Sequence, residues 1–183
     1  MLNLFKKKDG FDSLEIARQI IKNTGLDENL GIIKQKKHVH QAEPARLLEL
    51  VLSLSTVNLV ETLKSDFVME KIPKEIQTAI VRDYITESLR QQDLMKLKRE
   101  QIDTIKGGVL VQVEEMGKFW NESDDPQGSG PGPRYYCVKE VLKGLGGEEN
   151  YALHDALFEL MYLQYRHYYR YFQSLLSMPP DHA

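Results

Sequence analysis

Residues 47–63 constrain the fold more than any other part of the chain. Pro44 precedes them and suits the first turn of a helix, where the N–H that proline lacks would be unpaired in any case. A helix continuing to about Lys64 would carry apolar residues on nearly every side, not on one stripe. These residues are Leu47, Leu48, Leu50, Val51, Leu52, Leu54, Val57, Leu59, Val60 and Leu63. Such a helix must be surrounded by other elements, so the sequence predicts a central, buried helix.

Two further segments carry the start signals of helices. Residues 12–15 have the Asp-x-x-Glu spacing of a capping box, which predicts a helix that begins near Asp12. Ile16, Ile20 and Ile21 would form its apolar side. Pro73 opens another helix in the same way as Pro44, and the apolar pattern behind it continues to about residue 89.

The stretch before Trp120 leaves one alternative open. An apolar helical pattern runs over residues 94–105, and the pair Gly107-Gly108 is expected to end it, because glycine is a weak helix former. Residues 109–113 are largely β-branched and would suit a short strand. A helix that runs on to Trp120 is favoured, because the sequence offers no partner strand elsewhere.

These segments predict an all-α fold: a single helical-bundle-like domain of about five to seven helices around the central helix. The clearest break is residues 121–133, which are acidic and then rich in Gly and Pro, and cannot sustain a helix or strand pairing. The predicted organisation is a flexible basic arm at 1–10, a helical core at 11–120, this flexible loop at 121–133, a C-terminal helical part packed on the core at 134–178, and a tail at 179–183.

Residues 150–178 hold six of the nine tyrosines of the chain. At alternating steps of four and three, which mark one stripe of an α-helix, they present Phe158, Tyr162, Tyr165, Tyr169, Phe172 and Leu176. Neighbouring apolar residues widen the stripe to about half the circumference, beyond the ~100° arc of an ordinary surface helix. Such a face either packs entirely in the core or is shared between the core and a partner.

The aromatic stripe carries the first functional hypothesis, a non-enzymatic adaptor, chaperone-like factor or subunit of a larger complex. Tyrosine is enriched among the residues that dominate binding energy at protein interfaces. The partner would be another protein or a second copy, bound through Phe158, Tyr162, Tyr165, Tyr168, Tyr169 and Phe172. The alternative is a small-molecule or lipid binder, with or without enzymatic activity, whose tyrosine-lined pocket near His154 includes Tyr165 and Cys137.

Other chemistries find little support in the sequence. A net charge of −3 argues against broad nucleic-acid binding, which needs clustered Lys and Arg. His38 and His40 have a common metal-ligand step but no third ligand nearby, and the Glu-x-x-His step of di-metal bundles does not occur. The glycines at 128–132 lack the Gly-Lys-Ser/Thr ending of a phosphate loop. No catalytic residue, metal or cofactor is therefore predicted.

The N-terminal arm and the single cysteine indicate where in the cell the protein is expected. The arm would make at most a peripheral contact with an anionic membrane, through Leu2, Leu4, Phe5, Lys6, Lys7 and Lys8. The most apolar stretch, residues 47–63, is shorter than the ~20 residues of a membrane span. Cys137 is the only cysteine, so no intrachain disulfide forms, as is usual in a reducing compartment. The prediction is a cytoplasmic protein.

Overall fold

A computed structural model describes residues 6–7, 10–24, 44–91, 99–122, 133–144 and 151–177. The described residues form seven helices: α1 (Ser13–Thr24), α2 (Pro44–Leu63), α3 (Asp66–Met69), α4 (Lys74–Gln91), α5 (Arg99–Glu122), α6 (Pro133–Gly144) and α7 (Tyr151–Ser177). Two very short strands, β1 (Lys6–Lys7) and β2 (Gly10–Phe11), pair antiparallel. The predicted all-α class is confirmed.

Helix α2 lies at the centre of the domain, as its all-round apolar pattern predicts. It contacts α3, α4, α5, α6 and α7, and every residue from 51 to 59 is buried. The hydroxyl groups on this helix each donate a hydrogen bond to the carbonyl four residues earlier, which satisfies every donor within the helix. These hydroxyl groups belong to Ser53, Ser55, Thr56 and Thr62. The centre of the fold is therefore compatible with several small polar side chains.

Helix α1 begins where the capping signal places it and packs against α4. Asp12 Oδ1 accepts hydrogen bonds from the backbone N–H groups of Leu14 and Glu15 at 3.1 and 3.2 Å. Two polar contacts then join the helices: Ser13 Oγ donates to Asp83 at 2.7 Å, and Arg18 pairs with Glu87 at 3.0 Å. The local N-cap signal thus places α1 correctly on its neighbour.

The predicted helix end at Gly107-Gly108 is wrong, because α5 continues through both glycines to Glu122. Each glycine costs a helix only about 1 kcal/mol relative to alanine. Burial of Val109 and Met116 against the core outweighs that cost. Gly108 also permits a close approach, since a Cβ there would lie 2.5 Å from the carboxyl carbon of Glu49 on α2. Residues 109–113 are helical, as favoured.

Several sequence predictions lie outside the described residues. They concern residues 1–5 and 8–9 of the basic arm, the histidines His38 and His40, most of the loop at 121–133, and the tail at 179–183. Only the margins of that loop are described, as the last turn of α5 and the first residue of α6. Of the helices described, none is both long enough and apolar enough to cross a bilayer.

Candidate protein interaction surface

The rotation of α7 about its own axis decides which of its aromatic side chains a partner can reach. This helix contacts α1, α2 and α6. Its buried side chains recur at helical spacing and are Leu157, Leu160, Met161, Gln164, Tyr168, Phe172 and Leu175. At 100° per residue, the centre of this buried stripe lies about 100° from the centre of the predicted aromatic stripe. The aromatic stripe is therefore a flank of the helix, and only its edge points into the core.

Buried polar contacts hold α7 in this rotation. Asn58 Nδ2 on α2 donates to the carbonyl of Met161 at 2.9 Å, and Gln164 Nε2 donates to the Ser55 hydroxyl at 2.8 Å. One turn further along, Tyr168 donates to the carbonyl of Ser55 at 3.3 Å. Because hydrogen bonds are directional, these contacts fit one rotation of α7 better than a purely apolar contact would.

A pair of buried phenols ties α7 to α4. The hydroxyl oxygens of Tyr84 and Tyr168 are 3.0 Å apart, and both side chains are almost completely buried. Burial raises the pKa of Tyr84, and it raises that of Tyr168 well above the usual value, because a phenolate would lose its hydration. Both groups therefore stay neutral and serve as hydrogen-bonding core residues, so Tyr168 is not available to a partner.

The six aromatic residues predicted to bind a partner divide into three environments. Tyr168 and Phe172 lie in the core. Tyr165 and Tyr169 are partly covered: the Arg134 guanidinium lies 4.3 Å from the Tyr165 ring centroid, and Phe67 on α3 lies edge-on to Tyr169 at 4.8 Å. Phe158 and Tyr162 are open to solvent, with 39% and 51% of their surface exposed.

Phe158 belongs to a group of aromatic rings that lies between α6 and α7. The Tyr135 ring lies 4.7 Å from the His154 ring, and His154 in turn stacks on Phe158 at 6.3 Å and 9°. Tyr135 is 37% exposed. Three rings from two helices thus form a continuous aromatic edge beside the exposed side of α7.

The residues of the alternative pocket do not form a compact group. His154 and Tyr165 both face α6, but the helical rise puts their Cα atoms about 16 Å apart along the axis. Burial raises the pKa of the Cys137 thiol to about 12, so this side chain is neutral at physiological pH. His154 Nε2 is buried without a hydrogen-bond partner among the described residues, which is the one observation in favour of a ligand there. The pocket stays a prediction.

Charges on the exposed side of α7 are separated along the helix. We call the following residues the exposed α7 face: Asp155, Phe158, Glu159, Tyr162, Leu163, Arg166 and Arg170. Both acids precede the central pair Tyr162-Leu163, and both arginines follow it. Asp155 and Arg170 are equally far from that pair, and so are Glu159 and Arg166. The face is therefore acidic at one end, basic at the other and apolar at its centre.

Two features of this surface are not predicted by the sequence pattern. Gln164 is buried although glutamine is usually a surface residue, and Leu163 is 44% exposed although it is apolar. A periodicity that counts only apolar residues cannot detect either. The charge separation, in contrast, is readable from the sequence once the exposed side is known.

Neither a metal cluster nor a known relative identifies the chain further. No group of three or more side chains suited to hold a metal ion occurs in the part of the chain that the structure describes. No family model, curated protein or solved structure matches the chain, so its function is inferred from the chemistry of its own surfaces.

Proposed function

We propose that the chain is a non-enzymatic protein–protein interaction module, a subunit of a larger assembly, and that its exposed α7 face binds the same face of a second copy. The observation that carries the proposal is the separation of acidic and basic residues about Tyr162 and Leu163. The single cysteine, buried as a neutral thiol, is compatible with the reducing cytoplasm that we propose as its location.

The charge pattern favours an antiparallel pair of helices. In a two-fold symmetric pair, residues at equal distances on either side of the axis meet. With the axis at Tyr162-Leu163, Glu159 meets Arg166 of the second copy, and Asp155 meets Arg170 of the second copy. A parallel pair would instead place like charges together, which is destabilising. The pattern therefore selects one orientation.

The apolar centre of the face supplies most of the affinity in this proposal. Exposed ion pairs contribute only about 0.2–1 kcal/mol each, so the four symmetric pairs mainly set orientation. Phe158, Tyr162 and Leu163 are each about half exposed, and covering them removes apolar surface from water on both copies. The Arg166 guanidinium already lies 5.8 Å from the Tyr162 ring centroid, and Tyr and Arg are typical interface hot spots.

The size of the face limits the strength of the pair. One helix contributes the contact from each copy, which places the interface near or below the lower limit of stable complexes, about 1,200 Å² in total. We therefore expect a dissociation constant on the order of micromolar or weaker. The association is accordingly best measured over a range of concentrations.

Sedimentation velocity of the full chain at increasing concentration tests the proposal. Arg166→Glu would face Glu159 of the second copy and should weaken association roughly tenfold. The double variant Glu159→Arg/Arg166→Glu restores opposite charges at both symmetric positions and should recover association. Tyr162→Ala, at the centre, should weaken it without unfolding the protein, because the side chain is half exposed.

A matched control comes from α5. Lys118 forms an exposed ion pair with Glu114 at 3.6 Å, and Lys118→Glu makes the same change of charge as Arg166→Glu on a different helix. It should leave association unchanged. A chain that stays monomeric at millimolar concentration, or a double variant that associates no better than Arg166→Glu alone, would overturn the proposed pairing.

A further inference from the structure

An apolar groove lies on another side of the molecule, between α2, α4 and α5. It has a volume of about 330 Å³. Its apolar lining consists of Val60, Leu63, Val81 and Leu110. The α4 residues that line it recur at helical spacing on one side of that helix and are Lys74, Gln77, Thr78, Val81 and Arg82. The groove is thus built from three helices that are well separated in sequence.

The polar residues without charge in the groove are already engaged with the backbone. Gln77 Nε2 donates to the carbonyl of Ile72 at 2.8 Å, and Thr78 Oγ1 donates to the carbonyl of Lys74 at 3.0 Å. One N–H of the Gln77 amide and the Thr78 hydroxyl hydrogen are therefore used within the protein, and the apolar side chains provide most of the contact surface of the groove. A ligand would have to be recognised by its shape, its apolar surface and its charge.

Three exposed cations border the groove: Lys64, Lys74 and Arg82. Lys64 pairs with Glu61 at 2.6 Å, and Arg82 approaches Asp83 at 3.3 Å. Lys74 forms no ion pair with any residue that the structure describes. The carboxylates therefore offset only part of the positive charge, and the surplus lies at the Lys74 end.

We propose that this groove binds a small amphiphilic anion, with its hydrocarbon chain against Val81 and Leu110 and its acidic head at Lys74. The volume lies within the range of small-molecule sites, about 300–1,000 Å³. Nine residues line the groove, an extent that suits a small ligand. A cationic amphiphile would be repelled at the rim, and an uncharged one would leave Lys74 without a partner.

Isothermal titration calorimetry of the full chain with decanoate, below its micelle concentration, tests the proposal. We expect saturable binding of one decanoate per chain. Octanoate should bind roughly 15-fold more weakly, because each buried CH₂ contributes about fourfold to the affinity. Decyltrimethylammonium, which has the same chain and the opposite charge, should show no saturable binding.

Two surface variants locate the site. Lys74→Glu should weaken decanoate binding roughly tenfold, because it replaces attraction by repulsion at the rim. Leu110→Asn should weaken it roughly fivefold through lost apolar contact, and the half-exposed position of Leu110 keeps the fold intact. Lys139→Glu, an exposed cation on α6, and Arg166→Glu on the exposed α7 face should both leave it unchanged.

Each outcome of this experiment decides the proposal. Absence of decanoate binding, equal binding of decyltrimethylammonium, or decanoate binding that neither Lys74→Glu nor Leu110→Asn weakens would overturn it. Because the groove shares no residue with the exposed α7 face, its failure would leave the proposed self-association untouched, and the reverse also holds.

Discussion

Raising the pH above about 10 should destabilise the fold, because buried thiol and phenol groups would have to become anions inside it. Burial raises the pKa of the Cys137 thiol from 9.0 to about 12. Burial likewise raises the pKa of Tyr84, and it raises that of Tyr168 well above the value of a free phenol, 10.0. The pKa of Tyr171, which is partly buried beside Glu15, is raised as well.

The sign of the effect follows from proton linkage. Between the unfolded and folded pKa values, the unfolded chain has released protons that the folded chain still holds, so the free energy of unfolding falls as the pH rises. Below about pH 9 these four groups are neutral in both states, and their full contribution to the free energy of unfolding is present. It falls from about pH 9 for Cys137 and from about pH 10 for the phenols.

The size of the effect can be worked from the three most buried groups, Tyr84, Tyr168 and Cys137. Each contributes at most about 1.4 kcal/mol per pH unit within its own window, so the free energy of unfolding falls by at most about 4 kcal/mol per pH unit where the three windows overlap above pH 10. A domain of this kind has about 5–15 kcal/mol of stability. It should therefore unfold cooperatively within a few pH units above pH 10.

Urea denaturation followed by far-UV circular dichroism, at a series of pH values from about 8 to 11, measures this slope. Tyr168→Phe removes one titrating group and should reduce the slope by about 1.4 kcal/mol per pH unit. At neutral pH the same variant should lose about 1–2 kcal/mol, because it breaks the hydroxyl contact with Tyr84. A free energy of unfolding that stays constant from about pH 9 to 11, or a Tyr168→Phe slope equal to that of the wild type, would show that these buried groups do not set the alkaline stability.

Two further predictions concern helix formation and use the same urea measurement. Asp12→Ala removes the acceptor for two N–H groups of α1 and should cost about 1 kcal/mol; an unchanged midpoint would show that the cap contributes nothing. Gly107→Ala should add up to about 1 kcal/mol, since a Cβ there meets no atom within 4 Å. Gly108→Ala should give a free energy of unfolding about 1 kcal/mol lower than Gly107→Ala does, because Glu49 must leave its ion pair with Arg46. Equal free energies of unfolding for the two variants would contradict the close approach of α2 and α5.

The helices that sequence alone places well are those whose signals are local. The cap at Asp12 and the prolines at 44 and 73 act within one turn, so their effect does not depend on the tertiary structure. The all-round apolar pattern of residues 47–63 likewise needs no knowledge of neighbours, because no single partner could cover it. For these elements the predicted and observed starts agree within one residue.

Features that depend on tertiary contacts are the ones that sequence reasoning misplaces. Gly107-Gly108 is a local stop signal, and packing of α5 against α2 overrides it. The groove cannot be predicted from the sequence, since Val60, Val81 and Leu110 meet only after folding. The rotation of α7 is missed for a different reason: the helix buries the amide of Gln164 and exposes Tyr162, whereas hydrophobic periodicity assumes the reverse.

The burial of the Gln164 amide, together with the exposure of Tyr162, relates the core contacts of α7 to its proposed function. Asn58 and Gln164 each make one hydrogen bond through nitrogen, while their amide oxygens are buried with no partner among the described residues. A half-satisfied buried amide stabilises little, and an apolar residue of similar size often does as well or better. We therefore infer that these amides serve to fix the rotation of α7, which decides whether Tyr162 and the charges beside it face solvent.

The double variant Asn58→Leu/Gln164→Met tests this role. The free energy of unfolding should stay the same or rise by about 1 kcal/mol, yet self-association should weaken several-fold, because α7 would no longer be held in one rotation. Ser53→Ala, another buried polar change on α2, provides the control, since its hydroxyl bonds only within its own helix. A double variant that loses about 3 kcal/mol or more would show that the amides stabilise the fold directly. One that associates like the wild type would show that these two amides do not set the rotation, which the remaining contacts of Tyr168 and the apolar packing would then fix.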